Sequence, residues 1–327
     1  MEQSTKPAAA KRRRVFRWLR ALLLILLLVL ITPCIVLCGY VFRHIDYDAQ
    51  ADPWSTYDGI CRAEDYDLTE TIHTLITADG LSIRCSEVRA DEPRAVIIYL
   101  TGVERPSVSY FYAHAAWMHQ NGVACFLPEL RAHGESEGKK LGLGYTETED
   151  IRAVLSLIGS DPTYDDLPIV IHGLSMGGAA AINAFGVFPQ IDACIAGSAY
   201  ASFEYQMEDI MASMGVPEFL RRVEAPFLSL TLRLLYGWRT AEEMTPVRQI
   251  QNADGRPILL MVCTGDGNVA AVNTDRLHEA CPAAQVWKRE TADHYVVWNS
   301  DLCRVQNDLE YCDTILSFLR EAGIVAE

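Results

Sequence analysis

The sequence predicts an α/β chain: a mostly parallel central sheet with helices on both faces, an inserted helical cap, and one transmembrane helix in front. Three observations predict it. From about residue 70 onward, short apolar runs alternate with helical patterns, the signature of strands joined by helical crossovers. One such run, residues 167–171, leads through His172-Gly173-Leu174-Ser175-Met176-Gly177-Gly178 into Ala179-Ala180-Ala181, which reads as strand, tight turn and helix start. Finally, residues 21–42 carry no charge at all.

That uncharged segment comes first in the chain. Its 22 residues, at about 1.5 Å each, are long enough for the roughly 30 Å hydrocarbon core of a bilayer. The first 20 residues hold seven Lys or Arg against Glu2, a net +6, whereas Asp46, Asp48 and Asp52 follow the apolar run. Positive-inside logic places the N-terminus in the cytoplasm and the body outside, at the cell membrane. A cleaved signal peptide competes, and Ala49-Gln50-Ala51 resembles a cleavage site. But the run exceeds the roughly 7–15 apolar residues of a signal, and that site lies well beyond it. Neither Cys34 nor Cys38 follows a small residue, which argues against a lipoprotein. The chain then divides into a basic tail (1–20), an anchor (21–42), a linker (43–66) and a folded domain (67–322), with the cap at about 201–251.

With a total of −15, the chain beyond residue 20 carries −21, which argues against nucleic acid as a partner. Of ten cysteines, two lie in the anchor; Cys125, Cys194 and Cys263 fall in apolar runs where a thiol acts as a small hydrophobe. An oxidising compartment would allow Cys61 with Cys85 and Cys303 with Cys312, although spacing does not determine connectivity. No Cys-x-x-Cys and no zinc-type spacing occurs, so no metal and no cofactor is expected.

In the body, residues 71–77 and 81–88 around Ala78-Asp79-Gly80 read as an antiparallel hairpin. Residues 95–100 form a buried strand, and a helix from about 107 to 120 stops at Asn121-Gly122. Strand 123–127 follows, then a capping box Thr146-x-x-Glu149 ahead of helix 151–158. Further strands fit 191–196, 257–263 and 285–289. About fifty residues, 201–251, separate two of them and are rich in Met207, Met211, Met214, Phe219, Phe227, Leu230, Leu234 and Leu235. They read as an apolar cap, most of it core and some of it facing a substrate.

A serine is a poor nucleophile until a base takes its proton and a carboxylate orients that base. His294 follows the last strand and Asp266 the one before it, so both lie at the strand ends where Ser175 sits. Ser175, Asp266 and His294 are the expected catalytic residues. Asp293 is a fallback acid, disfavoured because adjacent side chains diverge; His172 and His133 are rival bases. Two backbone N–H groups must hold the oxyanion. Met176, directly after the nucleophile, supplies one, and Val103, aimed by a turn at Gly102, the other.

Together these residues resemble the α/β-hydrolase superfamily over about residues 70–320. Most similar are bacterial membrane-anchored or secreted hydrolases grouped with serine aminopeptidase S33, lysophospholipase and monoacylglycerol lipase-like proteins. The resemblance rests on Leu100-Thr101-Gly102, the stretch Pro128-Glu129-Leu130-Arg131-Ala132-His133-Gly134-Glu135-Ser136-Glu137-Gly138, Gly173–Gly178, Gly265-Asp266 and His294. The chain departs from the family pattern at Thr101 (usually His), at Glu129 and Ala132 (usually Asp and Gly), and after Asp266, where Asn268-Val269-Ala270 stands. The resemblance implies a membrane-anchored serine esterase acting on short acyl esters or lysolipids, without a cofactor. A peptidase of the same fold, for which Glu204, Glu208, Asp209 and Glu218 could bind an amine, and a non-catalytic binding protein are the alternatives.

Overall fold

The structure is a computed structural model and describes residues 6–46, 61–103 and 108–326. Eight strands form one sheet: β1 (Glu70–Ile76), β2 (Ser82–Val88), β3 (Ala95–Leu100), β4 (Val123–Pro128), β5 (Ile169–Leu174), β6 (Ala193–Gly197), β7 (Ile258–Cys263) and β8 (Gln285–Arg289). Their order is β1-β2-β4-β3-β5-β6-β7-β8, antiparallel at β1–β2 and β2–β4 and parallel elsewhere. The hairpin turns where Asp79-Gly80 predicts, with Gly80 at φ 87°.

Alternation along each strand sends side chains into two cores. Val96, Ile98 and Leu100 of β3 face one, with Phe126 and Ile171; Ala95, Ile97 and Tyr99 face the other, with Cys125 and Met261. Helix α1 (Lys6–Val41) precedes the sheet. Helices α2 (Tyr112–Gln120), α3 (Thr148–Ile158) and α4 (Met176–Val187) serve the crossovers. Ala179, Ala180 and Ala181 of α4 are fully buried, since a helix made of small residues can lie between sheet and neighbours on all sides. Between β6 and β7 the chain is helical: α5 (Phe203–Ser213), α6 (Glu218–Tyr236), α7 (Trp238–Glu243) and α8 (Pro246–Gln249). Helix α9 (Val272–Ala280) precedes β8, and α10 (Leu309–Glu321) closes the domain.

Two local expectations change. The capping box at Thr146 does not form: α3 begins one residue later, Glu147 is its N-cap, and Glu149 pairs with Arg152 instead. The disulfide joins Cys61 to Cys303, while Cys85 and Cys312 are buried free thiols. Cys85 lies on β2 and Cys312 on α10, each packed into a hydrophobic core, so neither takes part in the pairings considered. The start of the helix expected near residue 107 and the Ala49-Gln50-Ala51 stretch lie outside the described residues.

Of the stretch read as a linker, residues 43–46 dock on the domain. Ile45 N–H donates to Ala132 O (2.8 Å) and Ile45 O accepts from Gly134 N–H (3.0 Å). His44 sits between two carbonyls, Gly138 O and Gly134 O, each 2.9 Å from a ring nitrogen. Leu37, Val41 and Ile45 are buried in the domain core, each worth roughly 1.5–3 kcal/mol of apolar burial.

Burial pulls the His44 pKa down, but hydrogen bonds to both carbonyls and the charges of Asp46 and Glu129 outweigh it, so the pKa is raised. A raised folded-state pKa contributes stability that is complete below the unfolded value and lost as pH rises through the folded one. Substituting His44→Ala should therefore lower the thermal unfolding midpoint more at pH 5.5 than at pH 8.5. Equal losses at both would show that the imidazolium contributes nothing.

Candidate active site

The parallel strands all end on one edge of the sheet, and the loops leaving it carry every residue of the candidate site. Ser175 follows β5 with φ 58° and ψ −122°, a conformation that is costly for a residue with a side chain. The flanking glycines are required by contact. A Cβ on Gly173 would lie 2.0 Å from Gly177 O, and one on Gly177 would lie 2.2 Å from Leu100 O. Ser175 N–H donates to Gly197 O at 2.8 Å, which ties the turn to β6.

Asp266 follows β7 and is held from three sides. Its Oδ1 accepts from the backbone N–H groups of Asn268 (2.8 Å) and Val269 (3.1 Å), and its Oδ2 lies 2.8 Å from His294 Nδ1. Its side chain is fully buried. The two loops are laced together: Gly265 N–H donates to Thr291 O (2.9 Å) and Ser198 Oγ–H to His294 O. With a proton on Nδ1 shared with Asp266, His294 Nε2 is the basic nitrogen. Neither Nε2 nor Ser175 Oγ has a hydrogen-bond partner among the described residues, and both residues line one cavity of about 850 Å³. Such contacts tighten when substrate is bound.

None of the rival groups takes the place of Asp266 or His294. Asp293 makes no side-chain hydrogen bond among the described residues, while Asp266 contacts the imidazole. His172 is buried beside Tyr99, His114 and Tyr311, and burial drives its pKa down to about 3. His133 is also buried, with Nδ1 2.9 Å from Arg131 O and Nε2 3.0 Å from Val103 O.

This last contact bears on the oxyanion site. Met176 N–H is the first of the unpaired N–H groups at the N-terminus of α4, pointing along the helix's positive end. Val103 lies in the loop after β3, where His133 grips its carbonyl. Gly102 leaves room beside the nucleophile: its φ is ordinary, but a Cβ would stand 3.3 Å from Ser175 Cβ, tighter than ordinary van der Waals contact. Burial lowers the His133 pKa, so the ring is neutral and donates to one carbonyl at a time. Replacing His133→Ala should loosen Val103 and lower kcat by about tenfold with little change in KM, less than the 10²–10³ lost with an oxyanion donor. His133→Asn, which keeps a donor, should recover part of it; a KM effect alone would refute the role.

The cavity has two further walls. Phe203, Gln206, Met207 and Ile210 of α5 form one. The other was not foreseen from the sequence: Val36, Leu37 and Tyr40 of α1, with Arg43 and Ile45 beyond it. A uniformly apolar segment carries no mark of which face will meet a pocket. The four acidic residues considered as an amine site are paired instead: Asp209 with Arg276, Glu208 with Arg221, Glu218 with Arg222, and Glu204 with the Tyr145 hydroxyl. No Asp or Glu lines the cavity among the described residues.

Comparison with known proteins bears on the fold. Residues 91–251 match the family model described as serine aminopeptidase, S33. Among solved structures, esterase Pf2001 of Pyrococcus furiosus superposes with a TM-score of 0.62 at 18% identity, covering 82% of this chain and 98% of that one. The alpha/beta hydrolase GrgF from Penicillium sp. sh18 gives 0.58 at 17% identity, over 78% of this chain and 99% of that one. The chain has the α/β-hydrolase fold. Uncharacterized protein YqkD of Bacillus subtilis (strain 168) is 26% identical over 302 residues, 88% of this chain and 94% of that protein. Helix α1 of the hydrolase includes a stretch, Arg12–Val41, long and apolar enough to cross a membrane.

Proposed function

We propose that this α/β-hydrolase is a membrane-anchored serine hydrolase that cleaves carboxylic esters through an acyl-enzyme. Ser175 Oγ attacks the ester carbonyl as His294 Nε2 takes its proton, and Asp266 holds the imidazole and offsets its charge. Met176 and Val103 N–H groups receive the oxyanion. His294 returns the proton to the leaving alcohol, and water then releases the acid by the same steps in reverse order. The observation that carries the reading is the hydrogen bond between His294 and Asp266, with His294 and Ser175, the latter in strained geometry, lining one cavity.

An ester fits better than a peptide with a free amine. An ammonium group entering this cavity would find no carboxylate among the described residues to replace its hydration. The N-terminal basic cluster and the Cys61–Cys303 disulfide both favour an extracytoplasmic domain, since disulfides persist where the compartment is oxidising. A labelled fluorophosphonate tests the mechanism, with Ser175→Ala as the blank. Butyrate esters and aminoacyl anilides compared side by side test the specificity. Labelling of the Ser175→Ala protein, or faster turnover of the anilides, would defeat the corresponding part.

A further inference from the structure

The wall supplied by α1 has a consequence for what reaches Ser175. Counted from Ala21, twenty residues at about 1.5 Å each cover the roughly 30 Å apolar thickness of a bilayer by Tyr40. Val36 and Leu37 therefore fall within the depth of the outer leaflet, yet both line the cavity that holds Ser175 and His294. Val36 is also 63% exposed, so the cavity opens beside the anchor helix at that depth.

Helix α6, packed against α1, carries a second sign. Phe219, Val223, Phe227, Leu230 and Leu234 are all exposed, and their spacing places them within an arc of about 80° on the helix. The opposite side, Glu224, Leu228, Leu232 and Tyr236, is buried in the domain. The helix thus has an inner face already satisfied and an outer apolar stripe, Phe219 66% and Leu234 73% exposed, with Arg222 and Arg233 along its flank and Trp238 just beyond its end. An apolar stripe flanked by arginines, capped by an exposed Trp and continuous with a membrane-length helix is suited to the bilayer interface.

We propose that α6 lies in the outer leaflet beside the anchor and that the substrate is a bilayer-resident long-chain acyl ester, which enters the cavity laterally along α1 without crossing water. This rests on the serine-hydrolase reading above and adds the substrate's source. The chain's own anchor is then part of the acyl site: Leu37 and Tyr40 meet the acyl chain while its carbonyl reaches Ser175.

The test uses the full chain reconstituted in phosphatidylcholine vesicles, with two substrates: a fluorogenic oleoyl ester dissolved in the bilayer and a water-soluble butyrate ester. The triple variant Phe219→Ser, Phe227→Ser, Leu234→Ser changes only exposed residues outside the cavity. Its rate on the bilayer ester should fall by about tenfold or more as interfacial contact is lost, with the butyrate rate within about twofold of the unmodified protein. Independently of activity, phosphatidylcholine brominated near the glycerol backbone should quench tryptophan emission, and Trp238→Phe should remove part of that quenching. An unchanged ratio of the two rates overturns the proposal, as does absence of the Trp238 quenching. So does a stripe found buried between two copies, seen as a dimer that the triple variant splits. Hydrolysis of neither ester by the unmodified protein overturns the hydrolase reading and this one with it; brisk butyrate hydrolysis with no hydrolysis of the bilayer ester overturns this one alone.

Discussion

Substituting Ser175→Ala is expected to lower kcat for a soluble ester by about 10⁴-fold or more, with KM nearly unchanged. Ser198, another serine beside His294, gives its proton to the His294 carbonyl, so it does not take over the attack. His294→Ala should cost about as much, and the double variant little more than either, because the base has no role without its nucleophile. Additive losses would mean that the two residues act separately. The same position gives a stability readout. The backbone at φ 58°, ψ −122° costs a side-chain-bearing residue about 1–3 kcal/mol. Ser175→Gly releases that strain and gives back about 0.5–1 kcal/mol in unfolded-chain entropy. It should be as inactive as Ser175→Ala and unfold at a higher temperature than that variant. A lower midpoint would refute the stored strain.

Breaking the Cys61–Cys303 bond should be the most destabilising change outside the core. The bond spans 242 residues, and cross-linking so long a loop restricts the unfolded chain by about 5.5 kcal/mol. It also fastens the entry of the domain to the segment that follows His294, where the Tyr66 hydroxyl donates to Cys303 O at 2.6 Å. The variant Cys61→Ser, Cys303→Ser should unfold well below the unmodified protein in non-reducing detergent solution, and reductant should bring the unmodified protein down to the same midpoint. Reaction of both thiols with an alkylating reagent before any reduction would show that the bond is not formed.

The bounds of strands 95–100, 123–128, 169–174, 193–197 and 258–263 are close to what apolar runs bounded by turns announce, because a strand buried on both faces has few other readings; 285–289, at the sheet edge, is only partly buried. The edge shared by Ser175, Asp266 and His294 follows from the same reading, since parallel strands place their following loops together. The Thr146 box failed for a local reason: Glu147 Oε2 accepts from the Thr146 N–H that Glu149 would have taken, at 3.3 Å, and Glu149 pairs with Arg152.

What the sequence determined by itself was therefore periodic or contiguous: the α/β class, the anchor-length apolar segment, and the strand–Gly-x-Ser-x-Gly–helix turn whose glycines cannot carry a Cβ. What only the tertiary structure decided involves partners far apart in the chain. Cys61 meets Cys303, His133 takes the carbonyl of Val103, and the end of α1 becomes a wall of the cavity. The physical reason is that local pattern reports which face of an element avoids water, whereas the identity of the group opposite that face is set by how the whole chain closes around its core.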